Sequence, residues 1–471
     1  MFTALTIIRF NQSLWSDEAS SLWFSRYPIG SLLTSLCDPH PPGYYLLLKF
    51  LTIFSDNEVW LRLSSLIAGL VALFMTHRLG KDRWGMAAAN LAVWLLALQP
   101  LQSWYAGEVR MYALVQALGV LAVWLGVRLL TKEAPRRRDW WAYIFIAACA
   151  LVVDYSAFLP LLAMQAIWLA LGHPRAVRWL STQVVAIIPI VLLAFTSQQL
   201  TALGKSYYSI FIAIQAARRG IDLTPKTAIV LLLAVVSIGT VVSLIMAALW
   251  PRLRKTELGK WAWTIGVVWL VVLLFAVMPQ AFTLKRQFVL LLPYFALITA
   301  AVAVKWSRAW QFTLLGLTAL AAIISIFTLQ REPWRDTVQA LAAQPETSVI
   351  WVDEMSVPVF DYYWPRFASP NRSVQWTPIF DQDLPTLPTL QPLPAGDLWL
   401  VTAESTYRHL NLFLPDEFRA QYDLIDEQHA TGIGVYHYRR QPPATITPTP
   451  DQSPADRWGL RLLSPLDTCA P

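Results

Sequence analysis

Long apolar runs separated by short charged loops dominate the first 328 residues of the chain. A helix of about 20 apolar residues spans the hydrocarbon core of a bilayer, and ten runs approach that length. They lie at 58–79, 85–100, 109–129, 140–153, 156–171, 177–196, 226–249, 261–279, 287–304 and 309–328. Residues 1–9 predict part of a further span. We therefore expect a polytopic α-helical membrane protein with about 11 transmembrane helices.

A shorter apolar stretch at 43–54 does not fit this series. It is too short to cross a bilayer, and counting it as a crossing would invert the sidedness of every later loop. We predict an interfacial or re-entrant helix there. A second short helix is expected from about Ala19, so the first outer loop would carry interfacial helices.

The pattern changes after Leu329. Short β-type runs at 349–352, 398–401 and 433–438 alternate with helical stretches at 334–343 and 357–364, which is typical of a small α/β domain. The following segment is polar and rich in proline, a composition that favours disorder. The predicted domains are thus a transmembrane domain at 1–328, an α/β domain at 329–440 and a disordered tail at 441–471.

Composition supports the membrane assignment and excludes other classes. The chain is 56% hydrophobic and 14% charged, with a mean hydropathy of +0.45, more apolar than a soluble core requires. The net charge of +7 comes from basic residues in the loops between apolar runs. We therefore expect membrane lipids as partners and do not expect nucleic acid. Cys37, Cys149 and Cys469 form neither a metal spacing nor a disulfide framework.

Loop charges predict the orientation. The loops 77–85, 128–139, 172–179, 250–261 and 305–310 hold 16 Lys and Arg in 47 residues, whereas the alternate loops hold 9 in 98. Positive charge is retained in the cytoplasm. We therefore predict a multi-pass protein of the cell membrane with a cytoplasmic N-terminus and an extracytoplasmic α/β domain.

The alternate loops carry the candidate chemistry. Asp17 and Glu18 form an acid pair that either favours a helix dipole or supplies a carboxylate base or metal ligand. In the segment 38–45, three prolines fix a turn that holds His40 beside the membrane surface, followed by Tyr44. Either motif alone has an ordinary structural explanation.

Further charged groups lie at outer helix ends. Glu108, Arg110 and Tyr112 occur in one segment, where Glu108 and Arg110 could also form a closing ion pair. Lys285 and Arg286 could be membrane anchors or a phosphate clamp. Asp154 is a weaker candidate, because lone acids at turns are common.

The order of these motifs resembles a known family. Leu-Trp-Ser-Asp-Glu-Ala from 14, His-Pro-Pro-Gly-Tyr-Tyr from 40, Trp-Leu-Arg-Leu-Ser-Ser from 60 and Trp-Tyr-Ala-Gly-Glu-Val-Arg-Met-Tyr from 104 are similar to membrane glycosyltransferases of the GT-C superfamily. The bacterial protein-mannosyltransferase and aminoarabinose-transferase-like group is the most similar. The resemblance covers mainly residues 1–180, and 331–335 is similar in placement. Where many relatives have a His-Tyr pair, this chain has Asp154-Tyr155.

The resemblance implies a GT-C-like fold and an inverting transfer from a polyprenyl-phosphate-linked sugar to an acceptor hydroxyl on the outer face. It implies that Asp17 is the catalytic base, with Glu18 beside it. Arg110, Lys285 and Arg286 would bind the donor phosphate. The residues expected to orient substrates are His40, Tyr44, Glu108, Tyr112 and Asp154.

Several alternatives stay open on the sequence alone. The acceptor could be a lipid, a glycan or a protein, and no cofactor is certain, although a divalent metal is possible. A transporter or flippase of lipid-linked sugars also needs many spans, but such proteins place charges near the membrane midplane and often have repeated halves. A polymerase or ligase of lipid-linked glycans would share the donor chemistry, and a non-catalytic scaffold is the remaining option.

Overall fold

The structure of the protein is a computed structural model. The structure describes residues 1–157 except 37 and 39, residue 161, and residues 175–196, 288–345, 348–368 except 354, 376–379, 397–403, 414 and 416–441. The predicted spans at 226–249 and 261–279, most of the span at 156–171, and the predicted tail after 441 lie outside these residues.

Helices form the first part of the chain. They are α1 (Phe2–Ile7), α2 (Ser16–Ser25), α3 (Ile29–Thr34), α4 (Gly43–Thr52), α5 (Glu58–Ala97), α6 (Pro100–Ala106), α7 (Tyr112–Thr131), α8 (Arg137–Val153), α9 (Ala176–Thr196), α10 (Leu292–Ala303) and α11 (Arg308–Thr328). Single 3₁₀ turns occur at Ile8–Asn11, Tyr155–Ala157 and Phe288–Leu291. Among the described helices, α5, α7 and α11 are long and apolar enough to cross a membrane. The α-helical membrane character is thus confirmed, and the number of crossings stays a prediction.

Helix α5 is not straight, because it folds back at Gly85. The φ of Gly85 is +83°, a left-handed conformation that glycine adopts without steric cost. His77 Nε2 lies 3.1 Å from Asn90 Oδ1, whereas 13 residues of straight helix would separate these side chains by about 20 Å. The two halves are therefore antiparallel, in agreement with two predicted spans at 58–79 and 85–100.

The chain divides into two compact units. The first unit contains Met1–Asn11 and Pro28–Leu329. Its core lies between α5, α7, α8, α9 and α10. A Cβ on Gly126 of α7 would overlap the ring of Trp179 on α9, and Trp179 is fully buried. Absence of a side chain at Gly126 thus leaves the space that Trp179 fills.

The second unit contains Gln12–Tyr27 together with the residues from Gln330 onward. Helices α12 (Trp334–Ala342), α13 (Val357–Phe367) and α14 (Asp416–Arg419) accompany a five-stranded sheet. The strands are β1 (Val349–Asp353), β2 (Trp376–Ile379), β3 (Asp397–Ala403), β4 (Tyr422–Ala430) and β5 (Ile433–Arg440). Their order is β2-β1-β3-β5-β4.

The sheet is mixed. Strand β1 pairs in parallel with β2 and β3, whereas β5 pairs antiparallel with β3 and β4. Strands β4 and β5 form a hairpin whose turn contains Gly432, with a φ of +75°. A core of Trp351, Leu398, Leu400, Phe418 and Tyr436 covers one face.

These elements locate the sequence predictions. The predicted strands correspond to β1, β3 and β5, and the predicted helices to α12 and α13. The interfacial helix predicted at 43–54 corresponds to α4. Helix α2 packs against α13 within the second unit, so the segment that carries the acid pair associates with the C-terminal part of the chain. The domain boundaries at 328 and 440 stay predictions.

Candidate functional site

Glu18 is held inside the second unit. Helix α2 begins at Ser16, and the Trp15 N–H donates to Glu18 Oε2 at 3.3 Å, which caps the first turn. Arg331 Nε lies 3.8 Å from the same oxygen, and both side chains are fully buried. A buried carboxylate requires such a counter-charge. The surroundings of Glu18 are therefore those of a residue that stabilises the fold.

Asp17 has a different environment from its neighbour. It is the second residue of α2 and is only partly buried, whereas Ser16 and Glu18 on either side are buried. Successive residues of a helix point about 100° apart, so the first turn buries one acid completely and the other only in part. The two acids of the predicted pair therefore differ in burial, and the catalytic role of Asp17 stays a prediction.

A third acid, Glu332, binds the start of α2. Its Oε2 accepts hydrogen bonds from the Ser16 N–H at 3.1 Å and from Ser16 Oγ at 2.5 Å. The indole N–H of Trp334 donates to the same oxygen. Burial raises the pKa of Glu332, the bonds from Ser16 and Trp334 oppose this, and the charge of Asp17 adds to the rise. Asp17, Glu18 and Glu332 thus belong to one acidic cluster.

The first unit holds a second polar cluster, centred on Asp38. Asp38 Oδ1 accepts from the His40 N–H at 2.8 Å, from His40 Nδ1 at 2.9 Å and from the Tyr45 hydroxyl at 2.7 Å. An ionised carboxylate only accepts hydrogen bonds, so Nδ1 of His40 donates and the orientation of the ring is fixed. His40 is therefore oriented by Asp38.

The charge state of this cluster follows from its neighbours. Burial alone would raise the pKa of Asp38, but the charge and hydrogen bond of His40, the Tyr45 hydroxyl and the charge of Arg110 outweigh it and lower the pKa. Burial and Asp38 together raise the pKa of Tyr45 well above its usual range. Asp38 is thus an anion and Tyr45 a neutral phenol at neutral pH.

Asp154 lies in the same region of the first unit. Its Oδ1 accepts from the Ser156 N–H at 2.7 Å and from the Ser156 hydroxyl. Burial, Asp154 and Asp38 raise the pKa of Tyr155 to about 12, which places both acids near its hydroxyl. A Cβ on Gly43 would lie 2.5 Å from the Val152 carbonyl oxygen. Glycine at position 43 therefore permits the close approach of α4 to the end of α8.

Arg110 lies beside Tyr112 in the motif that begins at Trp104. It is buried, its guanidinium lies 5.7 Å from the ring centre of Tyr112, and its charge acts on Asp38. Glu108 is fully buried as well. Its backbone oxygen accepts from Ser65 Oγ at 2.5 Å.

The motif at 60–65 has a structural explanation. Arg62 is fully buried, its guanidinium donates to the Phe10 carbonyl at 2.7 Å, and it pairs with Glu58 at 3.7 Å. Together with Ser65 it ties α5 to two neighbouring segments of the first unit.

Sequence reasoning did not select four polar residues of these clusters, Asp38, Tyr45, Arg331 and Glu332, as site residues. Asp38 and Tyr45 flank His40 and Tyr44 in the same motif, so the motif itself was the signal. Tyr44 is fully buried, and the bond to Asp38 comes from Tyr45. Lys285 and Arg286 lie outside the described residues. The roles assigned to all predicted site residues stay predictions.

Metal binding was tested against the side chains present. In the part of the chain that the structure describes, no three His, Cys, Asp or Glu side chains form a group that would hold a metal ion. The divalent metal considered from the sequence stays a prediction.

Comparison with solved structures finds similar chains at low identity. ArnT from Cupriavidus metallidurans bound to undecaprenyl phosphate is 12% identical, with a TM-score of 0.41 over 93% of this chain and 97% of that one. The Archaeoglobus fulgidus oligosaccharyltransferase complex with Zn and sulfate is 14% identical, with a TM-score of 0.47 over 82% and 64%. The archaeal oligosaccharyltransferase AglB from the same organism, with an inhibitory peptide and a dolichol-phosphate, gives 13% and 0.42 over 82% and 65%.

Comparison with sequence families gives a match over the motif-rich part of the chain. No curated protein matches the sequence. Residues 39–201 match the family described as dolichyl-phosphate-mannose-protein mannosyltransferase. The matched stretch contains His40, Arg110 and Asp154, and it confirms the resemblance to protein-mannosyltransferase-like enzymes of the GT-C superfamily that the motifs predicted.

Proposed function

We propose that the protein is a membrane glycosyltransferase that moves a sugar from a polyprenyl-phosphate donor to an acceptor hydroxyl on the extracytoplasmic face. The match of residues 39–201 to a mannosyltransferase family carries this proposal. The buried polar cluster around Asp38 supports it, because the groups that act on Asp38, which are His40, Tyr45 and Arg110, fall within the matched stretch. Burying charged groups is costly unless they have a function or partners.

Asp17 is the proposed catalytic base. A hydroxyl that attacks the anomeric carbon must lose its proton, and a partly exposed carboxylate can accept it. Glu18 is the weaker candidate for this step, because Arg331 and the Trp15 N–H hold its carboxylate. The new bond forms on the face opposite the departing phosphate, so a single displacement inverts the anomeric centre.

Cations are proposed to stabilise the departing polyprenyl phosphate. Charge develops on the phosphate oxygens as the sugar leaves, and fixed positive groups lower the barrier for that step. Arg110 is the described candidate, and Lys285 and Arg286 are proposed alongside it. His40, oriented by Asp38, is proposed to contact the substrate with Tyr44, Glu108, Tyr112 and Asp154.

The acceptor is proposed by class only. A lipid, a glycan or a protein can each supply the hydroxyl, and the family description names a protein acceptor for its members. Mass analysis of lipids and envelope glycans from cells with and without the protein would identify the acceptor and the sugar together.

Transfer by the purified full chain in lipid nanodiscs tests the proposal. With a radiolabelled polyprenyl-phosphate sugar and a membrane extract as acceptor, we expect Asp17→Asn to reduce kcat by about 100-fold or more, since general base catalysis contributes about that much. Donor binding should be retained. Glu18→Gln tests whether Glu18 is a structural residue and Asp17 the base. We expect it to lower the free energy of unfolding, and to reduce kcat per folded molecule much less than Asp17→Asn does.

Asp139→Asn is a matched control for Asp17→Asn. Asp139 is also an acid in the first turn of a helix, α8, and it pairs with Lys132 in a predicted cytoplasmic loop. The Asp139→Asn variant should have the transfer activity of the wild type. Normal transfer by Asp17→Asn would assign the base to another residue. Movement of donor across liposomes without any transfer would instead support the transporter alternative.

A further inference from the structure

We propose that Glu332 is a positioning residue for Asp17, which fixes the first turn of α2 and places a second negative charge beside the base. The inference rests on the proposed function in which Asp17 accepts the proton. It concerns described residues of one unit, since α2 and Glu332 both belong to the second unit.

The hydrogen bonds of Glu332 fix the position of the residue that precedes Asp17. Both polar groups of Ser16 that can donate, the N–H and the hydroxyl, bind Glu332 Oε2, at 3.1 and 2.5 Å. The backbone is tied as well, because Ser13 Oγ donates to the Glu332 carbonyl at 2.9 Å. Residues 13 and 16 are thus both attached to position 332, and the backbone of Asp17 has little freedom to move.

Glu332 is itself held from the opposite side. The Trp334 indole donates to its carboxylate, and Trp334 is fully buried. At the turn between β4 and β5, a Cβ on Gly432 would lie 2.9 Å from Glu332 Cγ and Oε1. Since Gly432 also has a positive φ, this glycine satisfies the turn and leaves space for the Glu332 carboxylate.

A carboxylate in this place is expensive as a helix cap alone. A neutral oxygen acceptor would satisfy Ser16 at less desolvation cost, and Glu18 already caps the first turn through the Trp15 N–H. The charge of Asp17 acts on Glu332, and Glu18 pairs with Arg331. The interaction of Glu332 with Asp17 is one between like charges, which a neutral cap would avoid.

That interaction strengthens Asp17 as a base. Two carboxylates in one partly buried site resist simultaneous ionisation, and Asp17 raises the pKa of Glu332. The interaction energy is mutual, so an ionised Glu332 also favours the protonated form of Asp17. The acceptor proton goes to Asp17, and Glu332 contacts neither the sugar nor the acceptor.

Three variants separate the charge of Glu332 from its packing. Glu332→Gln keeps an acceptor oxygen and removes the charge. Glu332→Asp keeps the charge and shortens the reach by one methylene. Glu427→Gln is the control, because it removes one negative charge from the exposed strand β4.

The pH profile of kcat is the first readout. We expect Glu332→Gln to lower kcat about tenfold and to move the acid limb to lower pH by about half to one unit, with the donor KM changed less than twofold. Glu332→Asp should keep the wild-type acid limb, and Glu427→Gln should match the wild type. An acid limb that stays in place in Glu332→Gln would overturn the inference, whatever happens to kcat.

A second readout does not depend on transfer. Carbodiimides react with protonated carboxyl groups, so mass spectrometry of carbodiimide-treated protein reports the protonation of Asp17 directly. The reaction at Asp17 should begin at lower pH in Glu332→Gln than in the wild type, and an unchanged onset would overturn the inference. A wild-type protein without transferase activity would refute the proposed function only, and the labelling would still decide the role of Glu332.

Discussion

At the scale of single residues, adjacent side chains with the same chemistry have different roles. Asp17 and Glu18 are neighbours in sequence, yet Glu18 is buried against Arg331 and Asp17 remains partly exposed. The sequence predicts the acid pair and its place at a helix start. It does not separate the two acids, because the partner of Glu18 lies more than 300 residues away.

Asp38 illustrates the same limit. An Asp before a proline is typical of turns, so its local sequence indicates no chemistry. Its three hydrogen bonds depend on the conformation of 38–45 as a whole, and the charge of Arg110 reaches it from another segment. The motif around His40 was therefore predictable, whereas its centre was not.

Asp38 should make the stability of the protein depend on pH. Its pKa is lower in the folded than in the unfolded chain, so the folded state binds fewer protons. The resulting stabilisation is complete above the ordinary pKa of Asp and is lost as the pH falls from there through the lower pKa of the folded state. We expect Asp38→Asn to lower the free energy of unfolding at pH 7 by roughly 1–2 kcal/mol, since a charged hydrogen-bond acceptor is lost. Its acid dependence below pH 5 should be weaker than that of the wild type.

Thermal unfolding in detergent from pH 7 to pH 3 measures both effects. Asp56→Asn is a suitable control, because Asp56 is exposed. If the wild type and Asp38→Asn lose stability in parallel as the pH falls, the hydrogen bonds of Asp38 do not depend on its charge.

At the scale of elements, burial decides what the sequence predicts. Strands β1, β3 and β5 are apolar and were predicted, whereas β2 and β4 were missed. The two missed strands are the edges of the sheet. Strand β2 contains Pro378, which is tolerated at an edge because an edge strand has an unpaired side. Strand β4 is exposed along nearly its whole length and carries charges typical of a protected edge.

Helix ends follow similar logic. Helix α2 begins at Ser16, three residues before the predicted start at Ala19. The first turn of a helix has N–H groups that need acceptors, and here Glu332 supplies one from a distant part of the chain. A local pattern does not contain that acceptor, so the start of the helix was placed too late.

The junction of α4 with α8 gives a prediction at this scale. A Cβ at position 43 would lie 2.5 Å from the Val152 carbonyl oxygen, and backbone atoms cannot move as cheaply as a flexible side chain. Gly43→Ala should therefore separate α4 from α8, displace Tyr45 from Asp38 and lower stability by about 1–3 kcal/mol. Transfer activity should fall by more than the loss of folded protein explains.

Gly30→Ala is the matched control, because no atom lies within 4 Å of a Cβ at Gly30. Detergent-based unfolding and transfer by the folded fraction are the two measurements. Equal stability of Gly43→Ala and Gly30→Ala would show that α4 and α8 can separate without cost, against the geometry described above.

At the scale of the whole molecule, the number of crossings determines on which side of the membrane each residue lies. Helix α5 folds back at Gly85, so a crossing by each half would return the chain to the side from which it came. Two crossings within α5 preserve the alternation on which the charge count depends. If α5 crossed once, every later loop would change sides.

Cysteine labelling in intact cells tests that alternation. In a background with Cys37, Cys149 and Cys469 replaced by Ser, we expect Ala134→Cys to be protected from a membrane-impermeant maleimide. Ala134 is exposed in the Arg-rich loop between α7 and α8. Loops with many positive charges are retained in the cytoplasm. Thr445→Cys, after the last strand, should react without permeabilisation. Permeabilised cells provide the control, since both cysteines should then react. Labelling of Ala134→Cys in intact cells, with Thr445→Cys protected, would place the acid pair on the cytoplasmic side and contradict a donor presented at the outer face.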